Sequence, residues 1–132
     1  MWLEAFNPED HYQGLVSALE HRKEYIPTLS ELPKIGYVVC EDTTPIAYGF
    51  LRMVEGGAAI IDGLATDPRV TEGSKRWDAL QMVFIALVRK SQALDIKQLM
   101  GFSVNNRTIE IAEKYGFVKL SHTLMSLSNR KV

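Results

Sequence analysis

The sequence contains little of what several protein classes require. Its 132 residues include one cysteine, Cys40, so no disulfide can form within the chain, as is usual in a reducing compartment such as the cytoplasm. The formal net charge is −1 at pH 7, so no excess of positive charge exists to attract nucleic acid. We therefore expect no nucleic-acid partner, and any site for an anion must be local.

Membrane segments and clusters of metal ligands are missing as well. The apolar run Val83–Val88 is far shorter than the roughly 20 residues that a membrane-spanning helix needs. The N-terminal stretch MWLEAF leads directly into polar sequence and does not resemble a signal peptide. The three histidines are scattered along the chain, so we expect no metal site. These absences predict a cytoplasmic protein that has no membrane anchor.

The composition that is present favours one folded domain. Hydrophobic residues make up 46% of the chain and charged residues 23%, which is typical of soluble globular proteins. A chain of 132 residues can bury one core but is too short for a second. We therefore predict a single domain that spans residues 1–132. Cys40 lies in the apolar run YVVC, and we interpret it as a buried thiol.

The first half of the chain predicts a strand, a helix and three further strands. Met1–Phe6 is the first strand, and Asn7-Pro8 begins the helix, because asparagine caps free N–H groups and proline fits the first helical position. His11 and His21 fall within this helix, where we interpret them as solvated residues. The later strands are separated by turn-forming residues and predict an antiparallel meander: Ile35–Glu41, Ile46–Val54 and Ala58–Ala65.

Two positions in this half have a specific interpretation. Gly49, inside a strand, is a candidate for a bulge or for close approach of the backbone. The segment Glu24–Lys34 is irregular, although Thr28 and Glu31 have the spacing of a capping box. With Tyr25 and Ile26 exposed, this segment could form one wall of a substrate site. The alternative is a connector whose apolar residues pack into the core.

The second half predicts two more helices and two more strands. The first helix is expected from Ser74 to Lys90, and the two strands over Asp95–Val104 and Phe117–Ser128. Between these strands, Asn105 or Asn106 caps a second helix that ends at Gly116. Its inward positions are Ile109, Ala112 and Tyr115. The order strand, helix, strand implies one parallel pair. The predicted class is therefore α/β (α+β), with a mixed, mostly antiparallel sheet and helices on both faces.

The clearest chemistry lies in Ala58–Ala86, which reads as a buried strand, a turn and an apolar helix. Unpaired N–H groups at the start of a helix, together with the helix dipole, favour an anion at that position. Arg69, Lys75 and Arg76 place three cations around the turn, which contains Gly73. This arrangement predicts a phosphate site. The alternative is an ordinary connection that carries surface charges.

Two motifs in this element order resemble the GNAT superfamily, the Gcn5-related N-acetyltransferases, over residues 2–128. Leu64-Ala65-Thr66-Asp67-Pro68 resembles the end of the family's fourth strand, L-x-V-x-P. Asn105 through Phe117, NNRTIEIAEKYGF, resembles the family's late motif, N-x-x-A-x-x-L-Y-E-K-x-G-F. The resemblance implies a GNAT-like fold and an acetyl-CoA-dependent N-acetyltransferase whose acceptor is a small-molecule or protein amine.

The resemblance also implies which residues hold acetyl-CoA. Backbone groups of the fourth strand would bind pantetheine, the turn would bind pyrophosphate, and an asparagine would lie near the pantetheine amide. The corresponding residues of this chain are Leu64, Ala65 and Thr66 for the strand, Arg69, Gly73, Ser74 and Lys75 for the turn, and Asn105 for the amide.

The chain departs from the family pattern at two functional positions. The family's loop is [Q/R]-x-x-G-x-[G/A], whereas here only Gly73 remains and Lys75 stands where a small residue is expected. The tyrosine that many members use as general acid aligns with Ala112, and we interpret the nearby Tyr115 as a packing residue. The catalytic residues are therefore unknown. Asp62 could accept the amine's proton, and its alternative role is a structural hydrogen-bond acceptor.

A second function of a different class follows from these departures. A GNAT-like domain of phage or mobile-element origin that no longer transfers acetyl groups would act by binding a protein partner. An exposed apolar patch near Tyr25–Leu32 would favour this alternative, and an open cleft between the fourth and fifth strands would favour the enzyme. A homodimer is also open, because the final strand could pair with the edge of a neighbouring copy.

Overall fold

The computed structural model describes residues 1–103 and 105–127. They divide into two compact units, Met1–Phe102 and a second unit that starts at Ser103. The single domain over residues 1–132 therefore stays a prediction.

Within the described ranges, no helix is long and apolar enough to cross a membrane. The same ranges contain no group of three or more His, Cys, Asp or Glu residues that could hold a metal ion.

The first unit is built on a five-stranded sheet in the order β1-β2-β3-β4-β5. The pairs from β1 to β4 are antiparallel, and β5 pairs parallel with β4. This confirms the predicted mixed, mostly antiparallel sheet. The elements are β1 (Trp2–Ala5), α1 (Pro8–Arg22), a 3-10 turn (Leu29–Glu31), β2 (Ile35–Glu41), β3 (Thr44–Val54), β4 (Ala58–Thr66), α2 (Gly73–Ala93) and β5 (Gln98–Gly101).

The two long helices of this unit cover opposite faces of the sheet. Tyr48 and Phe50 of β3 belong to a buried cluster that includes Leu15 of α1. Neighbouring positions of a strand point to the other face, and a Cβ built on Gly49 would lie 2.6 Å from Val83 Cγ1 of α2. Burial of each large side chain in such a core contributes roughly 1.5–3 kcal/mol. The predicted helices on both faces are confirmed.

The start of α1 confirms the predicted cap and corrects the prediction for His11. The Asn7 side chain accepts a hydrogen bond from the Glu9 N–H at 3.0 Å. His11 is buried, with Nδ1 accepting from the Asn7 N–H at 2.8 Å and Nε2 2.9 Å from Glu4 Oε1. The expectation of a solvated His11 was wrong, because β1 brings Glu4 beside the first turn of the helix. His21 is exposed, as expected.

The second unit contains α3 (Asn106–Lys114). Asn105 is its cap, and its side-chain oxygen accepts from the N–H groups of Arg107 and Thr108 at 3.0 and 3.3 Å. Gly116 follows the helix with φ +93°, the left-handed conformation predicted for a helix end. Of the three predicted inward positions, Ile109 and Ala112 are partly buried. Tyr115 was predicted wrongly, since it is 40% exposed, and the buried residue of α3 is Ile111.

The last two strands differ from their predictions. β5 occupies only Gln98–Gly101 of the predicted Asp95–Val104, and Val104 lies outside the described residues. No strand is present over residues 117–127, and Ser128 also lies outside the described range. Side chains alternate between the two faces of a strand, and in this segment Leu120 and Leu124 have even numbers whereas Met125 has an odd number. A strand would therefore place its apolar residues on both faces.

Candidate functional site

The carboxyl half of β4 has an open edge on the side of β5. β5 pairs with β4 only from Ala58 to Ile61, and within the first unit no other strand pairs with that edge of β4. In a strand, alternate peptide groups point to the same edge. Along Asp62–Thr66, the N–H and C=O groups on the β5 side therefore have no hydrogen-bond partner in a neighbouring strand of the first unit. Leu64, Ala65 and Thr66, the residues predicted to bind pantetheine, lie on this edge.

A bulge bends β4 where the edge opens. Tyr48 pairs with Ala65 and Phe50 with Asp62, so Gly63 and Leu64 together oppose Gly49. Gly63 has φ +64°, a conformation that favours glycine, and a Cβ there would lie 3.0 Å from Phe50. Such bulges redirect a strand and its side chains. The prediction of a bulge or close approach at Gly49 is confirmed.

A cavity of about 250 Å³ adjoins the open half of β4. Its walls come from α1, from the segment between α1 and β2, and from β3 and β4. The lining includes the apolar residues Leu15, Leu19, Leu32, Phe50, Leu64 and Ala65 and the charged residues Glu24, Glu31, Arg52 and Asp62. Because Leu64 and Ala65 belong both to the lining and to the open edge, the cavity and the edge meet along one strand.

Hydrogen bonds hold the irregular wall of this cavity in place. Glu31 Oε1 accepts from the Thr28 N–H at 2.9 Å and from its hydroxyl at 3.0 Å, and Glu31 Oε2 accepts from the Tyr25 hydroxyl at 2.7 Å. The Thr28–Glu31 capping box is thus confirmed. The Thr28 backbone bond, followed by the bonds from Tyr25 and the Thr28 side chain, lowers the pKa of Glu31. Tyr25 and Glu31 line the cavity, as a wall at Glu24–Lys34 requires. Ile26 is not exposed as expected, because it packs with Leu32 against the core cluster, as the alternative interpretation of a connector predicts.

Arg52 links this wall to Asp62, the acid that the sequence singled out. Its Nε and Nη2 lie 2.9 and 2.8 Å from Asp62 Oδ2, and Nη2 also donates to the Glu31 carbonyl at 2.9 Å. One guanidinium therefore connects β3, β4 and the 3-10 turn. Asp62 lines the cavity with its side chain 44% exposed.

The start of α2 lies where the sequence predicts an anion site. Glu72 occupies the cap position and makes no side-chain hydrogen bond to the helix. The N–H groups of Gly73 and Ser74, at the first two helical positions, have no acceptor within the helix. A Cβ built on Gly73 would meet only Arg76 Nη2, at 3.9 Å. The turn therefore leaves space beside free N–H donors, as a bound phosphate requires.

The three cations around this turn already have protein partners. Arg69 Nη2 lies 2.7 Å from Oδ2 of the buried Asp67, Lys75 Nζ lies 2.7 Å from Glu41 Oε1, and Arg76 donates to the Val70 carbonyl. The Glu41 bond raises the pKa of Lys75, and the Lys75 bond lowers the pKa of Glu41. Burial acts to raise the pKa of Asp67, but hydrogen bonds from Arg69 outweigh it and the pKa is lowered.

No protein-family model matches the chain, and no curated protein does. Solved structures do match. A Mycobacterium tuberculosis protein in complex with CoA is 13% identical with TM-score 0.73, and the match covers 96% of this chain and 76% of that one. A Trypanosoma brucei acetyltransferase is 17% identical with TM-score 0.69, covering 97% and 99%. Glucosamine-6-phosphate N-acetyltransferase from Arabidopsis thaliana is 14% identical with TM-score 0.70, covering 97% and 98%.

The chain has the GNAT fold. The open edge of β4 and the start of α2 are the two places where the resemblance to GNAT enzymes puts pantetheine and pyrophosphate. The structure brings Leu64, Ala65 and Thr66 together on the first of these. Gly73, Ser74 and Lys75 lie together at the second, where Arg69 belongs to the preceding turn and is bonded to Asp67.

Asn105 and Arg76 differ from the predicted binding set in what the structure shows of them. Asn105 belongs to the second unit, where its side-chain oxygen caps α3. Arg76 was absent from the predicted binding set, yet its guanidinium is the neighbour of Gly73. The sequence could have indicated Arg76, because residues three positions apart, such as Gly73 and Arg76, lie on the same face of a helix.

Cys40 takes no part in this chemistry. The thiol is buried, and burial raises its pKa to about 11. A thiol with so high a pKa remains protonated at neutral pH and is a poor nucleophile. The interpretation of Cys40 as a buried thiol is confirmed.

Proposed function

We propose that this protein is an acetyl-CoA-dependent N-acetyltransferase that acts on an amine. The observation that carries the proposal is the strand shared by two sites. Leu64 and Ala65 present an open backbone edge to one side and line the cavity on the other. A donor held along the edge and an acceptor held in the cavity would therefore meet across a single strand, and such positioning is a large part of catalysis.

The residues present fit the cosubstrate. Peptide groups of Leu64, Ala65 and Thr66 would bind the pantetheine arm, and the N–H groups of Gly73 and Ser74 would bind pyrophosphate. Lys75, Arg69 and Arg76 would add positive charge beside it. When bound, acetyl-CoA supplies an activated thioester carbonyl for attack by the amine.

In the transfer the amine nitrogen forms a bond to the acetyl carbon while the C–S bond breaks. Asp62, at the cavity wall, accepts the proton that the amine loses, directly or through water. The departing sulfur gains its proton from solvent, and the nitrogen keeps its remaining hydrogen as the amide N–H. General-base assistance of this kind contributes about 10²–10⁴-fold, so the remaining acceleration rests on positioning.

The first test is isothermal titration of the protein with acetyl-CoA. We expect micromolar binding that Gly73→Trp abolishes, because the indole would fill the space beside the free N–H groups of α2. Gln92→Trp, an exposed position at the other end of the same helix, is the control and should bind normally. No heat at high acetyl-CoA concentration, with a cooperatively folded protein, would contradict the proposal.

One observation favours the second candidate, an inactive domain that binds a protein partner. Tyr25 and Leu29 are 70% and 52% exposed on the wall segment, in the region where such a patch was expected. The open edge of β4 favours the enzyme, and the enzyme is therefore proposed first. A homodimer and a cytoplasmic location remain predictions.

A further inference from the structure

One buried polar group takes no part in the site described so far. The Tyr48 side chain is fully buried in the core between β3 and α1, and its hydroxyl has no hydrogen-bond partner among the residues that the structure describes. The hydroxyl lies against the backbone of α1, because a Cβ built on Gly14 would be 2.7 Å from it. Burial of an unpaired hydroxyl costs free energy. The hydroxyl is therefore free to donate if a neighbouring acceptor loses its own partner.

The Asp67 carboxylate is an acceptor on the same face of the sheet. Tyr48 pairs with Ala65 across β3 and β4. The Asp67 N–H continues this ladder by donating to the Ile46 carbonyl at 2.8 Å. Alternate residues of a strand share a face, so Tyr48 and Asp67 are diagonal neighbours, a separation within reach of an aromatic side chain. Burial raises the pKa of Tyr48, and the negative charge of Asp67 raises it further.

Arg69 occupies this carboxylate in the free protein. Its Nη2 lies 2.7 Å from Asp67 Oδ2 and its Nε lies 3.0 Å from Oδ1, the two-pronged contact of a guanidinium with a carboxylate. The side chain of Arg69 is 48% exposed, whereas that of Asp67 is 7% exposed. The arginine can therefore turn toward a ligand in solvent, but the carboxylate stays buried. Its charge would lose two hydrogen bonds and would require another donor.

We propose that a phosphate group bound at the start of α2 draws Arg69 away from Asp67, and that the Tyr48 hydroxyl then donates to Asp67 in its place. This inference rests on the proposed function, in which Arg69 adds positive charge beside the pyrophosphate of acetyl-CoA. Tyr48 does not touch the ligand, because its side chain is fully buried. It is a positioning residue that keeps the buried carboxylate paired and so makes release of the arginine less costly.

The test measures stability and binding in Tyr48→Phe. Without ligand, the variant loses an unpaired buried hydroxyl, so the midpoint of thermal unfolding should rise by about 3 °C. With ligand, Asp67 lacks its replacement donor. Acetyl-CoA should therefore bind about tenfold more weakly by isothermal titration, as loss of a hydrogen bond to a charged group does. A tyrosine that only fills the core would not give these opposite changes in stability and affinity.

A second variant tests the exchange without any ligand. Arg69→Met removes the guanidinium from Asp67, so Tyr48 should donate to the carboxylate in the free protein. Adding Tyr48→Phe to Arg69→Met should then lower the unfolding midpoint, whereas the same change raises it when Arg69 is present. Tyr37→Phe is the matched control. Tyr37 pairs with Gly49 and so lies on the opposite face of the sheet, and its change should show no such reversal and leave acetyl-CoA binding unchanged.

The outcomes separate this exchange from acetyl transfer. Equal shifts of the unfolding midpoint with and without Arg69, or unchanged acetyl-CoA binding in Tyr48→Phe, would overturn the exchange and leave the proposed function intact. Inorganic pyrophosphate is titrated in parallel as a phosphate ligand without the pantetheine arm. Pyrophosphate binding that weakens in Tyr48→Phe, without acetyl-CoA binding, would support the exchange and contradict the proposed function. Binding of neither ligand would overturn both.

Discussion

The acceptor side and the phosphate side of the proposed site are organised differently. On the acceptor side, the bulge at Gly63 and the bonds of Glu31 and Arg52 fix the cavity walls without using the open edge of β4. On the phosphate side, Arg69 and Lys75 are bonded to carboxylates. On the acceptor side, a ligand would bind without breaking a protein contact of the β4 edge. On the phosphate side, the backbone N–H groups are unpaired, but Arg69 and Lys75 would have to leave their carboxylates to contact a phosphate.

The largest expected effect is on stability, at Gly49, which opposes the bulge of β4 and packs against α2. Gly49→Val places a Cβ 2.6 Å from Val83 and 2.9 Å from Leu64. We expect a loss of about 3 kcal/mol in the free energy of unfolding, because overpacking of a core displaces its neighbours. Urea unfolding measures it. Gly101→Val is the control, because a Cβ at Gly101 meets nothing within 4 Å, and equal stability of the two variants would contradict the account.

A smaller effect is expected on the phosphate side. Glu41→Gln releases Lys75 from its ion pair, and we expect acetyl-CoA to bind about threefold more tightly, since a partly exposed ion pair is weak. Lys75→Met should weaken binding by a similar factor. Titration calorimetry at low and high salt measures both, and salt should reduce the difference. Weaker binding in Glu41→Gln would show that Lys75 does not exchange partners.

The smallest effect is a local titration in the wall of the cavity. The pKa of Glu31 lies below its ordinary value of 4.5 because Thr28 and Tyr25 donate to it. Its contribution to wall stability is therefore complete above pH 4.5 and is lost as the pH falls through the lowered pKa. The amide resonance of Thr28 should report this transition by NMR. Glu31→Gln should abolish it, and a midpoint above 4.5 would contradict the assigned cause.

Much of the fold was predictable because its signals are local. Asn7-Pro8, the Thr28–Glu31 box and Gly116 each fix backbone geometry within a few residues, and all three were found as predicted. The strand-helix-strand order also predicted the parallel pair of β4 and β5. What failed depended on long-range contacts. His11 is buried because β1 brings Glu4 to it, which no helical pattern can show.

The site was predictable in part for the same reason. The backbone edge at Leu64–Thr66 follows from where β5 ends, and the motif predicted its place. Sequence alone placed three cations near the turn but could not show that Glu41, Asp67 and the Val70 carbonyl engage them. The link that Arg52 makes between Asp62 and the wall was also missed, because its partners lie on three different elements.

The account rests on the open edge of β4 as the place where acetyl-CoA binds. The most direct measurement is a titration with acetyl-CoA followed through the backbone amide resonances of the protein. We expect shifts at Leu64, Ala65 and Thr66 together with Gly73 and Ser74, and no comparable shift at Ala58–Ile61, where β5 already takes the hydrogen bonds. Shifts confined to other parts of the chain, or no shifts at saturating concentration, would contradict it.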